Sequence, residues 1–284
     1  MSTTLATQTQ RQTVVRSNRM SLRRVFRDHP HATISPLVFL GLIFLWWSAG
    51  HIFRVPTYVL PKPEAVFSAL IRGLSRGPLD VAGYWFHMVV TVWEALLGFV
   101  IGSLLGAGIG LALCHWALLR RVAFPYVVAF QALPKVALAP LSVVWFGFGI
   151  EGKVLITAVI AFFPVLVNVM AGYDSVEPER IDLARSCHAS TRHILTKIII
   201  PSLLPYLFAG LSTASVLAVL GAIVGEYVGA SAGLGMLLMQ YNQALEIASL
   251  FAVIIILGFI GCILNYLVGI LGAYFCSWSR HMPR

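Results

Sequence analysis

Three sets of residues in this chain are candidates for reactivity. Residues 147–153 read Gly-Phe-Gly-Ile-Glu-Gly-Lys, the G-x-x-x-x-G-K of a loop that wraps nucleotide phosphates. Such a loop needs a Ser or Thr next to hold magnesium, and Val154 follows. It also needs a soluble nucleotide-binding domain around it, and no hydrophilic stretch is long enough to build one. A turn between two apolar segments is the better account. Residues 229–233 read Gly-Ala-Ser-Ala-Gly, the G-x-S-x-G spacing of a hydrolase elbow. A serine protease inside a membrane would need a histidine on a later span to take the Ser231 proton. The only later histidine is His281, in the terminal tail, so a glycine-rich loop fits better and the protease is a remote alternative. The third set is Glu94, Lys135 and Glu226, ionisable residues within apolar segments, with Pro134 directly before the lysine. The four cysteines, Cys114, Cys187, Cys262 and Cys276, are far apart and show no metal-ligand spacing, so no metal site is expected.

The scaffold that carries these residues can be read from composition. Of 284 residues 58% are hydrophobic and 11% charged, against about 45–50% and 25% in soluble domains. A mean hydropathy of +0.85 cannot arise from one buried core with a wet surface. A soluble enzyme, a disulfide-stapled secreted domain and a disordered regulator are all excluded, and an integral membrane protein remains. The net charge of +9 could suggest nucleic acid. In a membrane protein it reads instead as basic loops retained on the cytoplasmic side, and no nucleic-acid partner is expected.

A membrane helix needs about 20 mostly apolar residues. Six segments qualify, near 35–53, 86–114, 122–148, 153–172, 203–225 and 247–274. The expected class is therefore an all-α membrane protein of about six transmembrane helices. Residues 1–33 form a basic tail with Arg11, Arg16, Arg19, Arg23, Arg24 and Arg27 and no acid before Asp28. Its composition also resembles a transit peptide; a cytoplasmic tail is the preferred reading. With both termini inside, fourteen Lys and Arg fall on the cytoplasmic side. Only Arg54, Lys62, Arg72, Arg76 and Lys153 fall outside, which supports that orientation. The organisation is then a tail (1–33), a first helix and outer loop (34–85), a five-helix domain (86–274) and a short tail (275–284).

Within the spans, Gly98, Gly102, Gly106 and Gly110 recur every four residues. Positions four apart drift by only about 40° around a helix, so these glycines make one smooth strip against which a second helix can lie closely. The segment 122–148 carries Pro125, Pro134 and Pro140 and is expected to kink or break. A lysine near mid-membrane costs about 2.5–3.5 kcal/mol on insertion scales, so Lys135 must face protein or water. Glu94, Pro134, Lys135 and Glu226 are the candidate pathway residues.

Residues 173–201 are the longest hydrophilic stretch between spans. Pro178 suits the first position of a helix, with Glu179 in its first turn. Ile181 and Ala184, three apart, share a face. Ser190 can cap a second short helix through Ile194, Leu195 and Ile198, which Pro201 is expected to end. A compact helix–turn–helix with a small apolar side suits the docking of a soluble partner.

This loop resembles the cytoplasmic pattern of permease subunits in binding-protein-dependent ABC importers: E-A-A, three residues, Gly, nine residues, I-x-L-P. Asp182-Leu183-Ala184 falls on E-A-A, His188 on the glycine, and Ile198-Ile199-Ile200-Pro201 on I-x-L-P. His188 departs from the pattern, since histidine accepts positive φ less readily than glycine. Further resemblances run in order from about residue 56 to 272. Pro56–Pro63 looks like the family's L-P-x-P segment, and Leu133–Ala137 with Pro140-Leu141 and Trp145-Phe146-Gly147 like the third-span signature of the sulfonate, taurine and nitrate branch. Gly233-Leu234-Gly235 looks like the loop before the last span.

The resemblance implies a type I importer in the bacterial inner membrane, multi-pass, with no catalytic residue and no cofactor of its own. ATP and magnesium would sit on separate ATPase subunits, an extracytoplasmic binding protein would deliver substrate, and two permease chains would pair as a homodimer within the lipid. Asp182, Leu183, Ala184, His188, Ala189, Ser190, Ile198, Ile200 and Pro201 would form the ATPase-coupling loop. The solute would be a sulfonate, a nitrate-like anion or a small heterocycle. A secondary transporter or channel would explain the spans and buried charges equally well, but not the docking loop.

Overall fold

The computed structural model describes residues 30–53, 55–78 and 80–278. The six arginines of the tail, Arg54, Arg280, His281 and Arg284 lie outside them. The chain divides into two units, Met1–Val55 and Pro56–Arg284. In the first, helix α1 (Pro30–His51) carries an apolar stretch, Pro36–His51, that is shorter than a full span. Its last turn is closed by the Ser48 hydroxyl donating to Leu45 O at 2.9 Å and by the His51 ring stacked on Trp47.

The second unit begins with α2 (Pro63–Leu74), started by proline at its first position and Glu64 in its first turn. Helix α3 (Tyr84–His115) follows, then α4 (Ala117–Ala132), a 3-10 turn (Lys135–Leu138) and α5 (Ala139–Phe146). Helix α6 (Ile150–Asp174) leads to α7 (Pro178–Ser186) and α8 (Thr191–Ile194). A π turn (Leu195–Ile199) passes directly into α9 (Ile200–Gly229). The unit ends with α10 (Leu234–Gln243) and α11 (Ile247–Phe275).

Among the described residues four helical stretches are long and apolar enough to span: Tyr84–His115, Ile150–Asp174, Thr191–Gly229 and Ile247–Phe275. Two of the six expected segments differ from a straight, full-length span, the third of them where its prolines predict a break. The first segment is the shorter α1 stretch, and the third is folded by 83° between Leu118–Ala132 and Lys135–Phe146. Pro134 excludes its predecessor from helical geometry, and Leu133 is extended at φ −66, ψ 138. Pro125 and Pro140 leave their helices intact, Pro140 because it lies in the first turn of α5, where no N–H is needed. Pro201 does not end a helix either. In an α-helix it would leave the Lys197 carbonyl without its donor, and the wide turn Leu195–Ile199 takes up that gap.

Helix α6 is the centre, packed between α3 and α9. Cβ atoms added at Gly98 and Gly102 would strike Thr157 and the Ala158 carbonyl, and one at Gly106 would lie 2.6 Å from Phe162 O. At Gly110 it would meet Val169 at 2.9 Å, so all four glycines lie against α6. Helix α9 does the same from the other side. Gly221 meets the Thr157 backbone and Gly225 the Lys153 backbone, while Ala214, Ala218 and Ala222 are fully buried. Backbones this close leave α6 no room to slide, and Ala161, Val165, Val169 and Leu203 fill the seam. Helix α11 packs on α9, and Phe259 and Tyr266 on it are largely exposed, as side chains facing lipid would be.

Candidate functional site

At one end of the bundle α6 and α9 are joined through α7. No residue of α7 is buried. Its ion pairs, Arg180–Glu177 at 2.8 Å and Arg185–Asp182 at 3.4 Å, are exposed and contribute at most about 1 kcal/mol each. Its C-terminus is closed by local backbone bonds, His188 N to Arg185 O at 2.9 Å and Ala189 N to Ala184 O at 3.0 Å. That pairing places His188 at the left-handed position of a Schellman turn, and its φ is +59. A left-handed turn is therefore made here without a glycine. Ser190 accepts from His193 N at 3.3 Å and starts α8, whose Ile194 is buried.

These residues face two ways. Ala184, Ile198 and Pro201 line a groove of about 800 Å³ between α7 and the start of α9, closed by Tyr206 and Trp278. Leu183 touches the rim of that groove but is two-thirds exposed, and Asp182, His188 and Ser190 are exposed too. Ala189 and Ile200 are half-buried between the two groups. Sequence reasoning missed the pair beside the loop, a bidentate bridge from Arg120 of α4 to Asp174 at the end of α6, with Nη1 to Oδ1 at 2.6 Å. It ties the folded span to the helix that enters α7. The separation of 54 positions between the partners left no local pattern to find it by.

The four candidate pathway residues separate. Pro134 and Lys135 sit together at the fold of the bent span. The Lys135 ammonium donates to Gln131 O at 2.9 Å and lies 4.7 Å from the centre of the Phe163 ring. It lines a cavity of about 740 Å³ whose walls are mostly apolar, including Phe130, Phe146 and Phe162, with Glu151 as the other ionisable group.

Glu94 and Glu226 lie elsewhere, fully buried where α3, α6 and α9 meet the start of α10. Lys153, read from the sequence as an outer-loop charge, pairs with Glu94 Oε1. Glu226 accepts from the Thr91 hydroxyl at 2.7 Å and from Gly235 N at 2.6 Å. Leu234 N donates to Thr91 at 2.8 Å, and Gly233 N to His87 Nδ1 at 3.0 Å. Three successive N–H groups at the head of α10 are thus capped by side chains from other helices.

The enzyme-like motifs dissolve in this setting. Gly147 ends α5, Gly149 precedes α6, and Gly152 and Lys153 lie within α6, so residues 147–153 form no phosphate cradle. Ser231 is exposed. His87 bonds to this loop, and both its ring nitrogens are engaged, Nδ1 with Gly233 and Nε2 with Val81 O at 2.8 Å.

Long apolar helices about a glycine seam, with an exposed two-helix loop at one end, define a polytopic α-helical membrane protein. Residues 98–277 match the family described as binding-protein-dependent transport system inner membrane component, and the chain belongs to that family. It is 34% identical over 243 residues to a riboflavin transport system permease of Chloroflexus aurantiacus, covering 85% of this chain and 89% of that one. It is 32% identical over 225 residues to a formylaminopyrimidine transport permease of Halalkalibacterium halodurans, covering 79% and 87%. The MetNI methionine ABC transporter, in inward-facing conformations, shares the fold at 22% identity and a TM-score of 0.53, over 75% of this chain and 97% of that one. The protein is accordingly a permease subunit of an ATP-driven importer: it forms the translocation pathway and is not itself an enzyme. Permeases of this family work with ATPase subunits, which hydrolyse ATP, and with substrate-binding proteins.

Proposed function

We propose that the segment 178–201 is the surface on which the ATPase docks, and that solute passes along the wall holding Pro134 and Lys135. The observation that carries this is α7, a helix with no buried residue that presents Leu183 outward and connects the two helices packed on either face of the seam. A push on α7 is delivered to α6 and α9 directly, and the Arg120–Asp174 bridge passes it to the folded span. Asp182, Leu183, His188 and Ser190 meet the ATPase, while Ala184, Ala189, Ile198, Ile200 and Pro201 form the joint behind them.

The working unit is a homodimer in lipid with both termini on the ATPase side, as the distribution of basic residues supports. Exposed Val89, Trp93 and Leu104 on α3 supply apolar surface for lipid and a second copy. The chain holds no cofactor; ATP and magnesium belong to the ATPase. Among sulfonates, nitrate-like anions and heterocycles, a small heterocycle fits best. Aromatic walls stack a planar ring, Lys135 offers a donor, and the two relatives above are named for a flavin and a pyrimidine.

The test is mild purification of the tagged chain from native membranes. An ATPase at one to one, lost on Leu183→Glu while the permease stays folded, is the expected result. A chain that purifies alone and moves solute without ATP overturns the reading.

A further inference from the structure

The cluster at the head of α10 contains more negative than positive charge. Glu94 and Glu226 are each only 1% exposed, and their carboxyl groups are neighbours across the α3–α9 contact, where Thr91, one turn before Glu94, reaches Glu226 Oε1. Lys153, contributed by α6, bonds to Glu94 Oε1. His87, the other ionisable side chain facing the site from α3, supplies no second charge. Its Nδ1 accepts from the Gly233 backbone N–H, and an accepting nitrogen carries no proton, so the ring is the neutral Nε2–H tautomer that donates to Val81 O. From α10 the cluster receives only the backbone N–H groups of residues 233–235.

Two further observations locate the missing charge. Glu226 has a polar neighbour at each oxygen, the Thr91 hydroxyl, which also reaches His87 O at 3.0 Å, and Gly235 N. Glu94 Oε2 is buried and has no hydrogen-bond donor among the described residues. An oxygen of that kind beside a second carboxyl is repelled if both are ionised, and strongly so where the dielectric is low. A hydrogen between the two carboxyl groups removes both problems: it gives Glu94 Oε2 a role as donor and brings the triad with Lys153 to neutrality. A metal ion is not a competing occupant, since no group of three or more acidic, histidine or cysteine ligands occurs among the described residues.

We propose that Glu94 and Glu226 share one proton, and that this proton-binding site clasps the head of α10 to α3, α6 and α9. The proton belongs to the pair rather than to either residue. Its removal leaves two buried anions against one ammonium, and the repulsion acts across the contact between α3 and α9. The clasp is independent of the docking role of α7.

The test is infrared spectroscopy of the full-length permease, with whatever subunits accompany it, in lipid nanodiscs. The carbonyl stretch of a protonated carboxylic acid, shifted in deuterium oxide, reports the site directly. One such band is expected at neutral pH. Glu94→Gln and Glu226→Gln each leave one carboxylate against Lys153, so each variant loses the band. Because either change could also disturb the fold, a double variant is included: Glu94→Gln with Lys153→Met strands Glu226 without a counter-charge, and the band returns. No band in the unaltered protein, or a band that survives either single substitution, overturns the proposal.

Discussion

Helices α7 and α10 are both short, each comes after a long helix of the bundle, and both end in a Schellman turn, through His188 and Leu245, yet their other ties to the bundle differ. Helix α7 closes its C-terminus locally: the Schellman turn through His188 ends it, Ser190 caps the next helix, α8, and none of its residues is buried. Helix α10 begins at a glycine and borrows its caps from α3 and α9, with Leu234, Gly235 and Leu237 buried beneath it. A helix that caps itself can be gripped and moved without breaking bonds to the bundle. One capped by its neighbours cannot leave them without stranding several buried polar groups at about 1–3 kcal/mol each. The α7 end is therefore the movable face and the α10 end the fixed one.

The seam on which both depend should be the most sensitive to change. Gly102→Leu places a side chain on the Ala158 carbonyl, where neither backbone can retreat. Loss of folded protein is expected in detergent-solubilised yield and thermal unfolding, since even modest overpacking costs about 1–3 kcal/mol. Gly108, on the same helix with open space around it, is the control, and Gly108→Leu should leave the yield unchanged. Equal losses would mean that the close approach of α3 to α6 is not what the glycines serve.

Next in size is the fixed end. Lys153→Met leaves Glu94 buried without its cation, a change expected to destabilise by about 3–5 kcal/mol. The matching change on α7, Arg180→Met, removes a partner from an exposed pair and should cost no more than about 1 kcal/mol. Chemical denaturation of the two variants side by side measures the contrast. The movable face should show the reverse pattern. Leu183→Glu is expected to leave unfolding within about 0.5 kcal/mol of the parent while abolishing ATPase copurification. A stability loss comparable to that of Lys153→Met would place Leu183 in the fold rather than on its surface.

Much of this arrangement was legible in the sequence, and the rest has identifiable reasons for being hidden. Spans show because about 20 apolar residues have few other uses. The strip Gly98–Gly110 shows because its period matches a helix face. The equivalent face of α9, Gly210, Ala214, Ala218 and Ala222, keeps the same spacing but reads as ordinary apolar sequence because three of its four members are alanine. The prolines of the bent span announce a break, yet only the extended Leu133 turns a kink into a fold of 83°. The clasp was illegible because its members come from distant parts of the chain, Lys153 being 59 residues from Glu94 and Thr91 135 from Glu226. Charge counting even assigned Lys153 to a loop, since nothing local distinguishes a lysine near a helix start that faces water from one that faces a carboxylate.

The smallest expected effect sharpens the comparison most, because both helices depend on a residue with positive φ. Gly233, before α10, has φ +118, and a Cβ there would also strike the Glu226 carboxyl group, so no other residue fits. His188, after α7, has φ +59, within the left-handed well that histidine can enter at a cost of about 1–2 kcal/mol. Replacing it with glycine removes that cost but returns conformational freedom to the unfolded chain, which offsets part of the gain. His188→Gly should therefore stabilise the protein by about 1 kcal/mol or slightly less, seen as a rise of about 2–4 °C in thermal unfolding. His188→Val should fall below the parent, since a β-branched residue is a true outlier at positive φ. If glycine lowered the transition and valine raised it, the turn would not be left-handed in the working protein, and the self-capped character of α7 would go with it.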